Sequence, residues 1–173
     1  ILRHEKIDVE ERDAYLRWSN ANRRGEDVTD SGLTDERLAE IAEREEFILS
    51  VTENGFGKRT SAYEYRIAGR GGQGIINIET SDRNGGVVAA FTVAQEDEMM
   101  LVTNGGQLIR CPVGDIRIAG RNTQGVTLFK TADDELVVSV AHLEGSEDEN
   151  DEEDDETAEN EADSDVNPAP DNE

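Results

Sequence analysis

The chain has little of what most enzymes and secreted modules depend on. Its 173 residues include one cysteine, Cys111, and two histidines, His4 and His142. One thiol cannot make an internal disulfide, and no Cys/His cluster has metal-ligand spacing, so disulfide scaffolds and zinc modules are excluded. Such cysteine usage fits a reducing, cytoplasmic compartment. Aromatic residues are 5% of the chain, and none interleaves with the basic residues, which argues against a base-stacking platform for single strands. No apolar run approaches the ~20 residues of a membrane span, and nothing resembles a signal peptide. The chain starts at Ile1 without a methionine and reads as a piece of a longer protein, with any catalytic machinery upstream.

Basic residues are absent from one stretch in particular. Residues 144–173 carry 16 acids and no base, whereas residues 1–46 carry 14 and 8, and residues 47–143 carry 11 and 9. The net charge of −24 is therefore mostly a property of the tail and does not exclude a basic face elsewhere. With almost no apolar residues, and with Pro168 and Pro170 near its end, the tail cannot bury enough surface to offset chain entropy. It reads as disordered.

Residues 1–46 read as a helical insert between sheet units, with residues 1–3 ending a strand of a preceding unit. Asp8 and Glu11 open a helix over residues 9–24 that Gly25 ends. Thr34 caps a second helix, with Asp35 and Glu36 at its positive end and Leu38, Ile41 and Ala42 on one stripe. Trp18 distinguishes a docking module from a spacer, because an exposed indole would point to a partner. His4 has no evident partner.

What is there instead is an internal repeat over residues 47–143. A shift of 51 residues places Thr52 on Thr103, Gly55 on Gly106 and Arg59 on Arg110. The block Arg66-Ile67-Ala68-Gly69-Arg70 falls on Arg117-Ile118-Ala119-Gly120-Arg121, and Gln73-Gly74 falls on Gln124-Gly125, without a gap. A period near fifty residues built from short apolar runs is the signature of propeller-type blades of about four strands. The fold expected is all-β: two four-stranded blades, 47–95 and 96–143, of a β-pinwheel or propeller-like domain. Strands are expected over 47–52, 58–62, 75–80 and 87–93, then over 99–103, 107–111, 126–131 and 136–141. Asn54-Gly55, Asn84-Gly85 and Asn104-Gly105 mark the tight turns.

Seven basic residues follow this period. Lys58, Arg59, Arg66 and Arg70 lie on the second strand and the connection after it, and Arg110, Arg117 and Arg121 occupy the matching places one repeat later. Stacked blades align such residues into a stripe, the footprint of a duplex phosphate backbone read through charge and bendability. The acids Glu79, Asp82, Glu96, Asp97, Glu98, Asp133, Asp134 and Glu135 gather on other turns and read as solvated. Gly69-Arg70-Gly71-Gly72-Gln73-Gly74 satisfies G-x-G-x-x-G but opens into Ile75-Ile76-Asn77-Ile78, a strand pattern, so a dinucleotide site is rejected. Tyr15, Tyr63 and Tyr65 read as packing residues, Cys111 as a small buried hydrophobe, and His142 has no triad or metal partner in view. No catalytic constellation is present.

Two segments carry a resemblance. The run Glu53-Asn54-Gly55-Phe56-Gly57-Lys58-Arg59-Thr60 and the run Ile118-Ala119-Gly120-Arg121-Asn122-Thr123-Gln124-Gly125-Val126, followed by the acidic end, resemble the C-terminal region of the DNA gyrase A-subunit family. Residues 70–74 look like a degenerate form of that family's Arg/Gly-rich box, with Ala68-Gly69 where the box has Gln and a base, and Gln73 where it has Lys. The resemblance implies a DNA-wrapping β-pinwheel of which this chain holds the last two blades. It implies a role in an ATP-dependent type II topoisomerase, an isomerase that introduces negative supercoils. The implied partners are double-stranded DNA and, in an A2B2 assembly at the chromosome, the gyrase B subunit together with the rest of the gyrase A subunit. ATP and Mg²⁺ then belong to the holoenzyme and not to this piece, which lacks the family's Arg-Tyr cleavage pair. The alternatives are the A subunit of the related topoisomerase IV and, from another class, a propeller-type protein-interaction module. Beside a basic rim, the tail reads either as a solubility element or as a DNA mimic competing at ~mM effective concentration.

Overall fold

A computed structural model describes residues 7–26, 31–67, 70–132 and 134–145. The expectations for His4, residues 1–3, Asp133 and the acidic run from residue 146 onward lie outside them.

Two helices precede the sheets. Helix α1 spans Val9–Arg23 and helix α2 spans Asp35–Glu43. The Thr34 side chain accepts from the Arg37 N–H at 3.3 Å, supplying the cap that its sequence position predicts. The Asp8 side chain makes no such bond, and α1 starts without one. Tyr15, Leu38, Ile41 and Tyr63 form a small core between the helices and the first repeat, with Trp18 half-buried against it. Trp18 is thus a packing residue rather than an exposed docking ring.

The rest is antiparallel sheet. Strands β1 (Phe47–Thr52), β2 (Phe56–Ser61) and β3 (Val87–Val93) come from the first repeat, and β4 (Glu98–Thr103), β5 (Leu108–Pro112), β6 (Val126–Thr127) and β7 (Val137–Leu143) from the second. One sheet has the order β3-β1-β2-β6 and the other β5-β4-β7. Both central strands pair alike: β1 meets β2 and β3, β4 meets β5 and β7, and each has a bulge at its last pair. Leu49, Val51, Val93, Met99, Leu101, Val113, Ile116 and Val137 form one core shared by the two repeats.

The blades are not self-contained, which corrects the four-strand reading. β6 belongs to the second repeat but pairs with β2 of the first, Phe56 opposite Thr127 and Gly57 opposite Val126. It covers two residues, not the six expected over 126–131. The strand expected over 75–80 is absent, and among the described residues that segment joins no ladder. Val126–Thr127 pairs with the other repeat, and the matching residues of the first, Ile75 and Ile76, have no strand partner among the described residues.

Turn geometry follows the period more closely than the Asn-Gly pattern does. Gly55 and Gly106 have φ of 73° and 83°, so the left-handed residue of the second hairpin is Gly106 rather than Gly105. Neither acidic turn is uniformly solvated either. Asp97 is buried, with Oδ2 accepting from the Ala94 N–H at 2.7 Å and lying 2.6 Å from His142 Nε2, while Oδ1 accepts from the Gly145 N–H at 3.1 Å. His142, for which the sequence offers no triad or metal partner, is paired with Asp97 and stacks on Phe91. Glu135 is buried against Thr103 and accepts from Gln107 and from the Ala132 N–H.

Candidate nucleic-acid interface

The seven basic residues divide into three groups. Lys58 and Arg59 leave the candidate surface, because both are buried. β2 reads Phe-Gly-Lys-Arg-Thr-Ser, a polar strand, yet its last five residues are buried. Their polar groups bond the chain of the second repeat. Lys58 Nζ donates to the Gly120 and Arg121 carbonyls at 2.5 and 2.7 Å and to Thr123 Oγ1 at 3.2 Å. Arg59 donates to the Ile116 carbonyl at 2.7 Å, the Gly114 carbonyl at 2.8 Å and Gln95 Oε1 at 2.5 Å. Thr60 Oγ1 donates to the Ala119 carbonyl, and the Arg59 backbone brackets Ile118 through Arg117 O and Ala119 N. Burial pushes the Lys58 ammonium down to about 8, against the pull of Glu64, and lowers Arg59 as well, with Arg23 adding to the effect. These desolvated donors hold residues 114–123 in place, and Arg59 also lines a groove beside that segment.

Arg110 is separated from the rest. It stands on β5 of the other sheet, its side chain 64% exposed and ion-paired to Glu98. The period that equates it with Arg59 holds for the sequence but not for the environment.

Arg66, Arg70, Arg117 and Arg121 come from the two long connections, and the structure brings those connections side by side. Arg121 Nη1 donates to the Ile76 carbonyl at 2.8 Å, its guanidinium lies 5.7 Å from the Tyr65 ring centre, and its own N–H donates to Glu64 at 2.8 Å. Arg66 donates to the Gln73 carbonyl at 3.1 Å, drawing together the ends of the loop that carries Arg70. Arg66, Arg70 and Arg117 are exposed, and Arg121 is half-buried. The two connections that carry these four thus touch each other through Arg121 and Ile76, and the second is held by Lys58 and Arg59.

Sequence reasoning missed a second basic wall. Asn20, Arg23 and Arg24, at the end of α1, line a groove together with Arg117, Gly120 and Thr123. The available signal is an acid-free run between Asp13 and Glu26 that contains Arg17, Arg23 and Arg24. Tyr63 makes the placement possible: its ring meets Tyr15 edge-on at 5.7 Å and its hydroxyl donates to the Ile41 carbonyl at 2.9 Å. One repeat later the same position is Gly114, so nothing comparable anchors a helix there.

Among the described residues no group of three or more His, Cys, Asp or Glu is placed to hold a metal ion, and no helix is long and apolar enough to cross a membrane. Cys111 is half-buried, and burial raises its thiol pKa.

Comparison with known proteins gives one consistent family. The family described as DNA gyrase C-terminal domain, beta-propeller, matches residues 46–94 and 97–143, one match per repeat. The DNA gyrase A subunit of Rickettsia bellii is 51% identical over 160 residues, a match that covers 88% of this chain but 18% of that protein. The chain therefore spans less than a fifth of the length of this relative. A solved gyrase A C-terminal domain superposes with a TM-score of 0.53 at 28% identity over 56% of this chain and 33% of its own. The C-terminal domain of DNA topoisomerase IV does so with 0.52 at 25% identity, over 57% and 31%.

Proposed function

The chain belongs to the DNA gyrase C-terminal domain family of β-propellers, and from that premise we propose that it binds the backbone of duplex DNA and helps to hold it in a bent path. The observation that carries this reading is the juxtaposition of the two repeat connections, with Arg66 and Arg70 on one and Arg117 and Arg121 on the other, joined by the Arg121 bond to Ile76. Each phosphate neutralised by such an arginine releases condensed counterions. A row of them offsets the elastic cost of curvature, of order 1–6 kcal/mol for a bend of 20–30 base pairs. In this reading the chain acts within a whole topoisomerase. ATP hydrolysis, Mg²⁺ chemistry and strand cleavage belong to the gyrase B subunit together with the rest of the gyrase A subunit, while this region has no activity alone and helps that holoenzyme to introduce negative supercoils. The gyrase assignment is favoured over topoisomerase IV by the 51% identity to a gyrase relative over 160 residues.

The exchange of β6 onto β2 extends the proposal. Ile76 is 63% exposed and stands 51 residues before Thr127, in position to add to a repeat that precedes it. The test is fluorescence anisotropy on a random-sequence duplex with the 173-residue chain and with residues 1–143. Binding that weakens as salt rises supports the backbone reading, and tighter binding by the shorter chain supports competition by the acidic segment. Folded protein that ignores DNA at low salt would instead favour a protein-interaction module.

A further inference from the structure

The groove beside Arg117 has one wall from outside the repeats. Asn20, Arg23 and Arg24 of the helical unit face Arg117, Gly120 and Thr123 across a space of about 480 Å³, which Asp115 also lines. The helix wall is held firmly. Tyr15 and Arg23 both donate to Glu45, at 2.8 and 2.6 Å, and Arg23 lies 5.4 Å over the Phe47 ring at the start of β1. Charge within the helical unit is segregated. No acid occurs between Asp13 and Glu26, whereas residues 35–46 carry six acids and two arginines.

We propose that this groove seats the sugar-phosphate backbone of duplex DNA, so that the helical unit widens the DNA-binding surface of the second repeat. The inference rests on the DNA-binding reading above and adds a specific wall to it. Arg24 is the residue placed to make the contact. Its side chain is 54% exposed and is paired with Glu26 through two hydrogen bonds of 2.7 and 2.9 Å. Exposed pairs of this kind are weak, so a phosphate, which accepts the same planar fork of N–H donors, competes for the guanidinium. Arg23 keeps its bond to Glu45 and contributes field rather than a direct contact. Both arginines also offset the negative pole at the C-terminal end of α1. Asn20 adds a neutral donor. Arg117 closes the opposite wall, and Asn20, Gly120 and Thr123 of this groove also line the adjoining depression that holds Arg121, so the groove is continuous with the surface of the second connection. That continuity selects DNA over an acidic protein as the occupant.

The experiment is anisotropy binding of a random duplex by the 173-residue chain and three charge reversals. Arg24→Glu is expected to weaken binding about five- to tenfold at low salt and to lower the salt slope by about 1. Arg17→Glu makes the same change in net charge on the same helix, at a residue that lines a different depression with Glu10 and Asp13, and is expected to weaken binding by less than about twofold. Arg117→Glu should weaken binding like Arg24→Glu. Arg24→Gln, which removes the charge without reversing it, should act in the same direction with a smaller loss. Circular dichroism checks that each variant is folded. If Arg24→Glu and Arg17→Glu act equally, net charge alone is at work and the groove is not a seat. If Arg117→Glu weakens binding and neither Arg24 variant does, the DNA reading stands and this inference falls. If the unaltered chain does not bind, both fall, and an acidic protein partner becomes the better occupant.

Discussion

The two repeats share a period and a strand order but not an outer edge. Gly57, Lys58 and Arg59 on β2 stand 51 residues before Leu108, Ile109 and Arg110 on β5. The first three are buried under the second repeat. Leu108 is 64% exposed and the Arg110 side chain equally so. Gly57 explains part of the difference. A Cβ at this position would lie 2.4 Å from the Leu128 side chain and 2.6 Å from the Ser50 carbonyl, so β6 and the chain after it fit only over a glycine. Where no strand arrives, a leucine is tolerated. An identical arginine is therefore a buried clamp at one edge and a surface cation at the other, decided by whether a neighbour lies over it.

Substitutions that exchange the two edges test this comparison. Gly57→Leu, which copies the second edge into the first, should displace β6 and destabilise the fold by about 4 kcal/mol in urea unfolding, since the clash is partly with backbone. Leu108→Gly should change stability by less than about 1 kcal/mol. Next in size, Arg59→Ala should cost about 3 kcal/mol by leaving the Gly114 and Ile116 carbonyls without their donor. Arg110→Ala should cost no more than about 0.5 kcal/mol. Equal costs at the two arginines would break the comparison. An effect smaller than those at Gly57 and Arg59 lies at the end of β7, where Asp97 gathers Ala94, Gly145 and His142. Burial pushes the Asp97 carboxyl up, but those hydrogen bonds together outweigh it and hold its pKa below the ordinary aspartate value. A depressed carboxylate stabilises the fold above its unfolded pKa and loses that contribution as pH falls through the folded value. Asp97→Asn should cost about 1 kcal/mol near neutral pH and flatten the decline of the unfolding midpoint as pH falls below the ordinary aspartate range.

The sheet frame was legible because its signals are local and periodic. Glycines 55 and 106, which open the two hairpins, recur with the repeat, and Met99, Leu101 and Thr103 alternate on the buried face of β4. Thr34 likewise caps its helix through a bond spanning three residues. The candidate surface was only half legible. Arg66, Arg70 and Arg117 are exposed, as their place on connections implies, whereas Lys58 and Arg59 occupy a strand whose composition gives no sign of burial. Four of their six acceptors are carbonyls at residues 114–121, and carbonyls carry no sequence signature. Arg24 was overlooked because its neighbour across the groove, Arg117, lies far along the chain.

Period, turn positions, helix caps and family all follow from short-range preferences and from residues repeated at a constant interval. Which polar residues are interior and which repeat supplies the covering strand depend on contacts more than fifty residues apart, such as Lys58 to Gly120 and Arg59 to Ile116. Where the helices rest depends on contacts such as those of Tyr63 with Ile41 and Tyr15. A charged side chain loses most of its hydration when covered, so it is stable inside only where distant backbone oxygens replace the water. The presence of those oxygens is a fact of assembly, made when the second repeat folds over the edge of the first.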